Sequence, residues 1–473
     1  MHTLDGAGDP RTEVRIAVVG GGSRNWAPTL ICDLATTTDF GGTVALYDRD
    51  EESAARNRRL GEHVQSLPDA DGEWTYEAVS SLEAALDGAD VVVCSTQDPP
   101  DATMYHDLEI PKEYGVYQSV GDTVGPGGVM RALRSIPQYR EVAAAVREQC
   151  PDAWVLNYTN PMSVVTRTLY EEYPDINALG LCHEVAGTQR ALAELVERHL
   201  DAEAAADEIA LDVWGINHFT WVDEAHWRGR DLFDVLEAEL ADREPLPRFE
   251  AGSLADADFF VGHGDVALDL YRRYGAYPVA GDRHLAEFVP WYLRIEDPEA
   301  VHRWGFRLTP GSYRADLWPS GERRREAVLA GDRSISLERS DEEMVDVIAA
   351  LLGHGALETN VNVPNRGQCP DLPAGAVVET NALLGRDRCR PLVAGPMPRE
   401  VVALVETHVR NQETLVEAGF EGDLDPAFRA FRSDPLVGSL TPEATQALFR
   451  DLVEAQASSL EAYDLAGADV LEA

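Results

Sequence analysis

The chain is predicted to be a doubly wound α/β protein with a second, α+β lobe. Three observations carry this. Short β-branched runs alternate with helical stretches over the first 200 residues. The first run ends in a glycine turn that opens a helix. The 473-residue length leaves room for a second unit of similar size.

The elements follow in order. Val14 to Val19 is a strand that ends in Gly20-Gly21-Gly22-Ser23, and Leu30, Ile31 and Leu34 continue at helical spacing. Thr43 to Tyr47 is a second strand, closed by Asp48, and Glu51 to Leu67 a polar helix. Val91 to Cys94 is a continuous apolar run, as expected for a parallel strand covered on both faces. A glycine-rich stretch, Val120 to Gly128, precedes a helix beginning near Met130 and apolar from Ile136 to Cys150. Trp154 to Asn157 and Ala178 to Leu181 complete a first domain over residues 1–200.

Beyond Asp201 the pattern changes. Ile209 to Asn217 and Phe219 to Glu224 read as strands about a turn at His218. Helices are expected over Asp231 to Asp242, Phe259 to Tyr274, Asp341 to Gly353, Arg399 to Glu417 and Pro442 to Tyr463. Strands are expected over Glu358 to Pro364 and Ala376 to Glu379. This is the second unit, residues 201–473.

Composition restricts the function. Forty basic residues against 83 acidic ones give 40 − 83 = −43. That sign excludes nucleic-acid binding and anionic membrane surfaces. Lys112 is the only lysine, and an acidic, lysine-poor chain suits concentrated salt, where self-repulsion is screened. No signal peptide is apparent, and no apolar run approaches the ~20 residues that span a bilayer. Six cysteines without CxxC spacing fit reduced thiols in the cytoplasm.

Five segments could carry chemistry. Gly20, Gly22, Ser23, Arg24 and Asn25 form a degenerate nucleotide turn, with Asp48 placed for a ribose hydroxyl; an ordinary tight turn is the alternative. Asn160, in Asn157-Tyr158-Thr159-Asn160-Pro161 after a strand, could bond sugar hydroxyls or merely cap a helix. Cys182-His183 and the distant His218 offer a thiolate and imidazoles to a divalent metal, although isolated Cys and His are more often structural. Gly281-Asp282-Arg283 could supply a base or an anion contact, or be a solvated turn. Asp122, in the glycine-rich stretch, could face a substrate or lie in a flexible connection.

The segments IAVVGGGS, GDTVGPGGVMRAL, NYTNPM, LCHEVAGT, GINHFTW and DRHLAEFVPWY together resemble glycoside hydrolase family 4, from Val14 to about Glu379. The resemblance implies a Rossmann-type domain like that of lactate and malate dehydrogenases, with NAD+ and Mn2+ as cofactors. It implies Cys182 and His218 as metal ligands, Asn160 as a substrate contact and His183 beside the leaving group. Cys182-His183-Glu184-Val185 is similar to the CHEV signature of the α-galacturonidase subgroup. Other subgroups place a tyrosine base near Gly281-Asp282-Arg283; here Asp282 is the expected base, Tyr277 a weaker candidate, and Arg283 the expected partner of a uronate carboxylate. The implied chemistry is oxidation at C3, loss of the C2 proton, elimination at C1, addition of water and return of the hydride.

The expected activity is therefore cleavage of α-galacturonides from pectin-derived oligosaccharides. α-Galactosidase, α-glucosidase or α-glucuronidase activity is the alternative within the family. Outside it stand a sugar or 2-hydroxyacid dehydrogenase and a nucleotide-sensing module. A homo-oligomer, dimer or tetramer, is implied as well.

Overall fold

The computed structural model describes residues 10–254, 260, 262–340 and 342–471. The helix starts expected at Phe259 and Asp341 lie outside these residues. Fifteen strands occur among them. The first six are β1 Glu13–Val19, β2 Gly41–Tyr47, β3 Trp74–Val79, β4 Val91–Cys94, β5 Trp154–Asn157 and β6 Asn177–Gly180. They pair in parallel in the order β3-β2-β1-β4-β5-β6. Helices connect them, as parallel pairing requires. The order reverses direction between β1 and β4, which is where an open α/β sheet binds its ligand.

Every residue of β4 and β5 is buried, which accounts for their unbroken apolar sequences. β3 lies at the sheet edge and alternates buried Trp74 and Tyr76 with exposed Thr75 and Glu77. That strand carries no apolar run and is absent from the sequence-based expectation.

The remaining strands are β7 Ile209–Leu211, β8 Trp214–Ile216, β9 Phe219–Val222, β10 Ala225–Trp227, β11 Arg230–Asp231, β12 Tyr277–Val279, β13 Leu357–Pro364, β14 Val377–Gly385 and β15 Arg388–Pro391. β7, β10 and β11 form a small antiparallel sheet. The others extend the parallel half: β13 runs antiparallel to β6 through Asn362 and Gly180, and β14, β8, β9 and β12 follow. The two units expected to divide near residue 200 thus share one twelve-stranded sheet. One apolar cluster also runs through both, from Met130 and Leu133 to Trp214, Phe288 and Val405.

The glycine-rich stretch is helical sooner than expected. The helix spans Gly125–Gln149, with Pro126 in its first turn, where proline loses no hydrogen bond. Among the described residues no helix is long and apolar enough to cross a membrane.

Candidate active site

The carboxyl ends of β1, β2, β4, β5 and β6 deliver Gly20, Asp48, Ser95, Tyr158 and Cys182 to one edge of the sheet. A cleft of about 680 Å³ opens there. Gly20, Ser23, Arg24, Asn25 and Asp48 line one end, and Asp122, Asn160 and His183 the other.

At the first end the backbone needs glycine. Gly20 has φ +91°, and a side chain there would strike the carbonyl of Ser95. The amides of Asn25 and Trp26 reach the Ser23 hydroxyl, which opens helix Trp26–Ala35. Gly22 lies beneath the loop: its N–H donates to Asp48 Oδ2 at 2.9 Å, and its carbonyl accepts from Ser53 Oγ at 2.7 Å. Asp48 Oδ1 accepts from the Asp50 N–H at 2.9 Å. Asp48 thus braces the turn while still lining the cleft, a role its position after the second strand did not suggest. Arg24 pairs with Asp50 at 2.9 Å and lies over the Trp318 ring.

The other end is built around His218. It occupies the turn between β8 and β9 with φ +64° and is buried. Its Nδ1 lies 2.8 Å from Thr123 Oγ1, which is 2.7 Å from Asp122 Oδ1. The hydroxyl has one proton and a carboxylate can only accept, so Thr123 donates to Asp122 and accepts from the His218 Nδ1–H. The lone pair of His218 is then on Nε2. Burial and neighbouring His284 push its pKa down to about 3, so the ring is neutral. Burial would raise the pKa of Asp122, but the positive charges facing it, the Arg131 and Arg314 guanidiniums among them, hold it well below the usual range.

The rings of His218 and His284 stack with centroids 3.8 Å apart. Asp122, His218 and His284 each place one donor atom within 4.8 Å of the others, a set suited to a divalent cation. His284 Nδ1 is buried without a hydrogen-bond partner. These residues fit a metal. Cys182 is outside this trio: burial raises its thiol pKa well above the usual value, and the neighbouring Glu379 and Glu184 carboxylates add to the rise. Glu379 is buried in β14 and accepts from Asn360 Nδ2 at 2.6 Å.

Around this center, Asn160 turns a buried Oδ1 with no partner, while its carbonyl accepts from Arg131 Nε at 2.8 Å. His183 is half-exposed, with Nδ1 3.3 Å from Glu342 Oε1; that contact raises its pKa against burial. The loop carrying Asp122 is pinned by Glu287 Oε1, which accepts from the N–H groups of Val120 and Gly121 at 2.7 and 2.9 Å.

Two expectations are corrected. Asp282 is not free to act as a base. Its Oδ2 accepts from Gly264 and Asp265, and its Oδ1 from Val266 and Ala267, at 2.7 to 3.1 Å. It caps helix Asp265–Tyr274. Burial pushes its pKa up to about 7, while the N–H groups of Ala267, Gly264 and Asp265 pull it down. Tyr277 is buried in β12, and burial raises its pKa well above the usual tyrosine value. Arg283 is not on the cleft wall. It is buried and bonds the Ser119 carbonyl and Thr309 Oγ1. The arginines that do line the cleft are Arg24, Arg131, Arg314 and Arg324. Of these, Arg131, Arg314 and Arg324 form no ion pair with a carboxylate among the described residues, in a chain with 83 acids. The sequence signal for Arg131 was its place in GDTVGPGGVMRAL; Arg314 had none.

Residues 15–198 match the model of the Family 4 glycosyl hydrolase, and residues 213–437 that of the Family 4 glycosyl hydrolase C-terminal domain. The chain is 44% identical over 449 residues to an alpha-galacturonidase of Thermoanaerobacterium saccharolyticum, covering 93% of this chain and 95% of that protein. It is 45% identical over 445 residues to an alpha-galacturonidase of Bacillus subtilis, covering 93% and 97%. Its fold is similar to a 6-phospho-alpha-glucosidase from gut microorganisms solved with NAD and Mn2+, with TM-score 0.75, 20% identity and coverage of 95% and 99%.

Proposed function

The chain belongs to the family 4 glycosyl hydrolases, and from that premise we propose that it is an NAD+- and Mn2+-dependent alpha-galacturonidase. The carrying observation is that one cleft runs from the glycine turn to Asp122 of the His218 cluster, and that Arg131, Arg314 and Arg324 on its wall form no ion pair with a carboxylate among the described residues. When bound, NAD+ supplies a hydride acceptor for sugar C3, and the divalent ion acts as a Lewis acid on neighboring sugar oxygens.

The chain's own residues do the rest. The glycine turn and the start of helix Trp26–Ala35 receive the cofactor phosphates, assisted by Arg324. His218 presents a bare Nε2 to the metal, with Cys182 as its partner ligand. Asn160 Oδ1 accepts from a sugar hydroxyl. Arg131 and Arg314 hold the uronate carboxylate, the role expected of Arg283. His183, its pKa raised beside Glu342, gives a proton to the leaving oxygen.

All six cysteines are free, which fits a reducing cytoplasm. We read the active form as a homo-oligomer; sedimentation velocity tests that directly.

A panel of p-nitrophenyl α-galacturonide, α-glucuronide, α-galactoside and α-glucoside, with NAD+ and Mn2+, tests the function. Galacturonate should be released with no net NADH. Cleavage of neutral sugars alone would overturn the uronate reading, and NADH forming in step with product would make the chain a dehydrogenase.

A further inference from the structure

We propose that His284 is a further protein ligand of the metal, beyond the Cys182 and His218 pair implied by family resemblance, with its far nitrogen backed by Glu184. This rests on the metal-dependent reading above, and the experiment below separates the two.

Four observations carry it. The donor atoms of His284, His218 and Asp122 lie within 4.8 Å of one another. His284 Nδ1 is buried with no hydrogen-bond partner. A buried nitrogen left without a partner is costly, and a cation between the three side chains removes that cost. The other nitrogen faces a carboxylate: Nε2 lies 3.8 Å from Glu184 Oε1, one small shift from hydrogen-bond distance. Glu184 is itself fixed, because its Oε2 accepts from the Gly281 N–H at 2.7 Å. A carboxylate behind a ligating imidazole orients the ring and makes it a better donor. Finally, the stacked rings lie side by side, 28° from parallel. His218 has its Nδ1 tied to Thr123, so Nε2 is its ligating atom. The two histidines therefore use opposite nitrogens, with Thr123 behind one and Glu184 behind the other.

The arrangement also gives Glu184 a role. It is the third residue of the Cys182-His183-Glu184-Val185 signature and reaches across to the loop at Gly281. Helix Glu184–Leu200 and helix Asp282–Phe288 are thereby tied together beside the His284 ring. An ion held by His218, His284 and Asp122 would be bound before the sugar arrives.

The test uses the full-length protein with Mn2+ alone. Electron spin echo modulation counts the nitrogens coupled to Mn2+, and the free-ion EPR signal gives the Kd. The wild type should show two imidazole nitrogens. His284→Gln should show one and bind Mn2+ roughly 10- to 100-fold more weakly, while Glu184→Gln should keep both nitrogens with an affinity loss of about 10-fold. A single coupled nitrogen in the wild type overturns the proposal even if His284→Gln does not fold. So does a folded His284→Gln with unchanged coupling and Kd. A wild type that binds no Mn2+ overturns the metal-dependent reading as well.

Discussion

Replacing Asp282 by Asn separates a capping carboxylate from a catalytic base. The side chain accepts four backbone N–H bonds, two on each oxygen, at 2.7 to 3.1 Å. Asparagine keeps one oxygen and turns an NH2 group toward the other two donors. Two buried N–H groups then lose their acceptor, at about 1–3 kcal/mol each. The expected loss of unfolding free energy is therefore roughly 2–6 kcal/mol, read by urea denaturation with tryptophan fluorescence. The kcat of the folded enzyme, with NAD+ and Mn2+ saturating, should stay within about tenfold of wild type. A general base contributes about 10²–10⁴ to the rate. Unchanged stability with a kcat reduced by more than about a hundredfold, and a larger isotope effect with C2-deuterated substrate, would refute the capping argument.

Other outcomes follow from the same geometry. Arg314→Met should lower kcat/KM for an α-galacturonide by about 10- to 100-fold, the worth of a hydrogen bond to a charged group, and equal losses on any α-galactoside turnover would count against a carboxylate contact. The Co2+-loaded enzyme should show a thiolate charge-transfer band that Cys182→Ser abolishes; its absence in the wild type would remove Cys182 from the ligand set. Glu239 is 3% exposed, and although burial opposes it, contacts with His199, Arg198 and Arg243 lower its pKa to about 2. A carboxylate with a lowered pKa stabilizes the fold above its unfolded pKa of about 4.3 and loses that contribution as pH falls toward the folded value. The stability gap between wild type and Glu239→Gln should thus be constant above about pH 5 and shrink below it; urea melts at several pH values decide. With a formal charge of −43, the melting temperature should rise between ~0.1 and ~1 M KCl, as the screening length falls from about 10 to 3 Å. No rise would remove the salt-adapted reading.

Most of the first half was readable from periodicity because its central strands are buried on both faces and leave continuous apolar runs. β3 was not, because an edge strand alternates Trp74 and Tyr76 with exposed residues. The helix from Gly125 was hidden by its glycines, whose burial against neighboring elements decides what local propensity does not. In the site, segments after strands pointed to the correct edge of the sheet. Spacing could not show that Asp282 faces four amides, that Arg283 turns away from the cleft or that His284 stacks on His218. Those facts depend on where loops distant in sequence come to rest.

The shared sheet has a further consequence for turnover. An enzyme that swaps oxidized for reduced nucleotide in every cycle must open wide enough to release it. Here β13 and β6 join the two halves into one span, and one apolar cluster runs from the long helix of the first half into the second, so the described residues offer no clean hinge about which they could part like a clamshell. A reaction that borrows a hydride and hands it back to the same sugar needs no such opening. The rigid spine suits a nucleotide retained as a resident tool, with only sugars passing in and out.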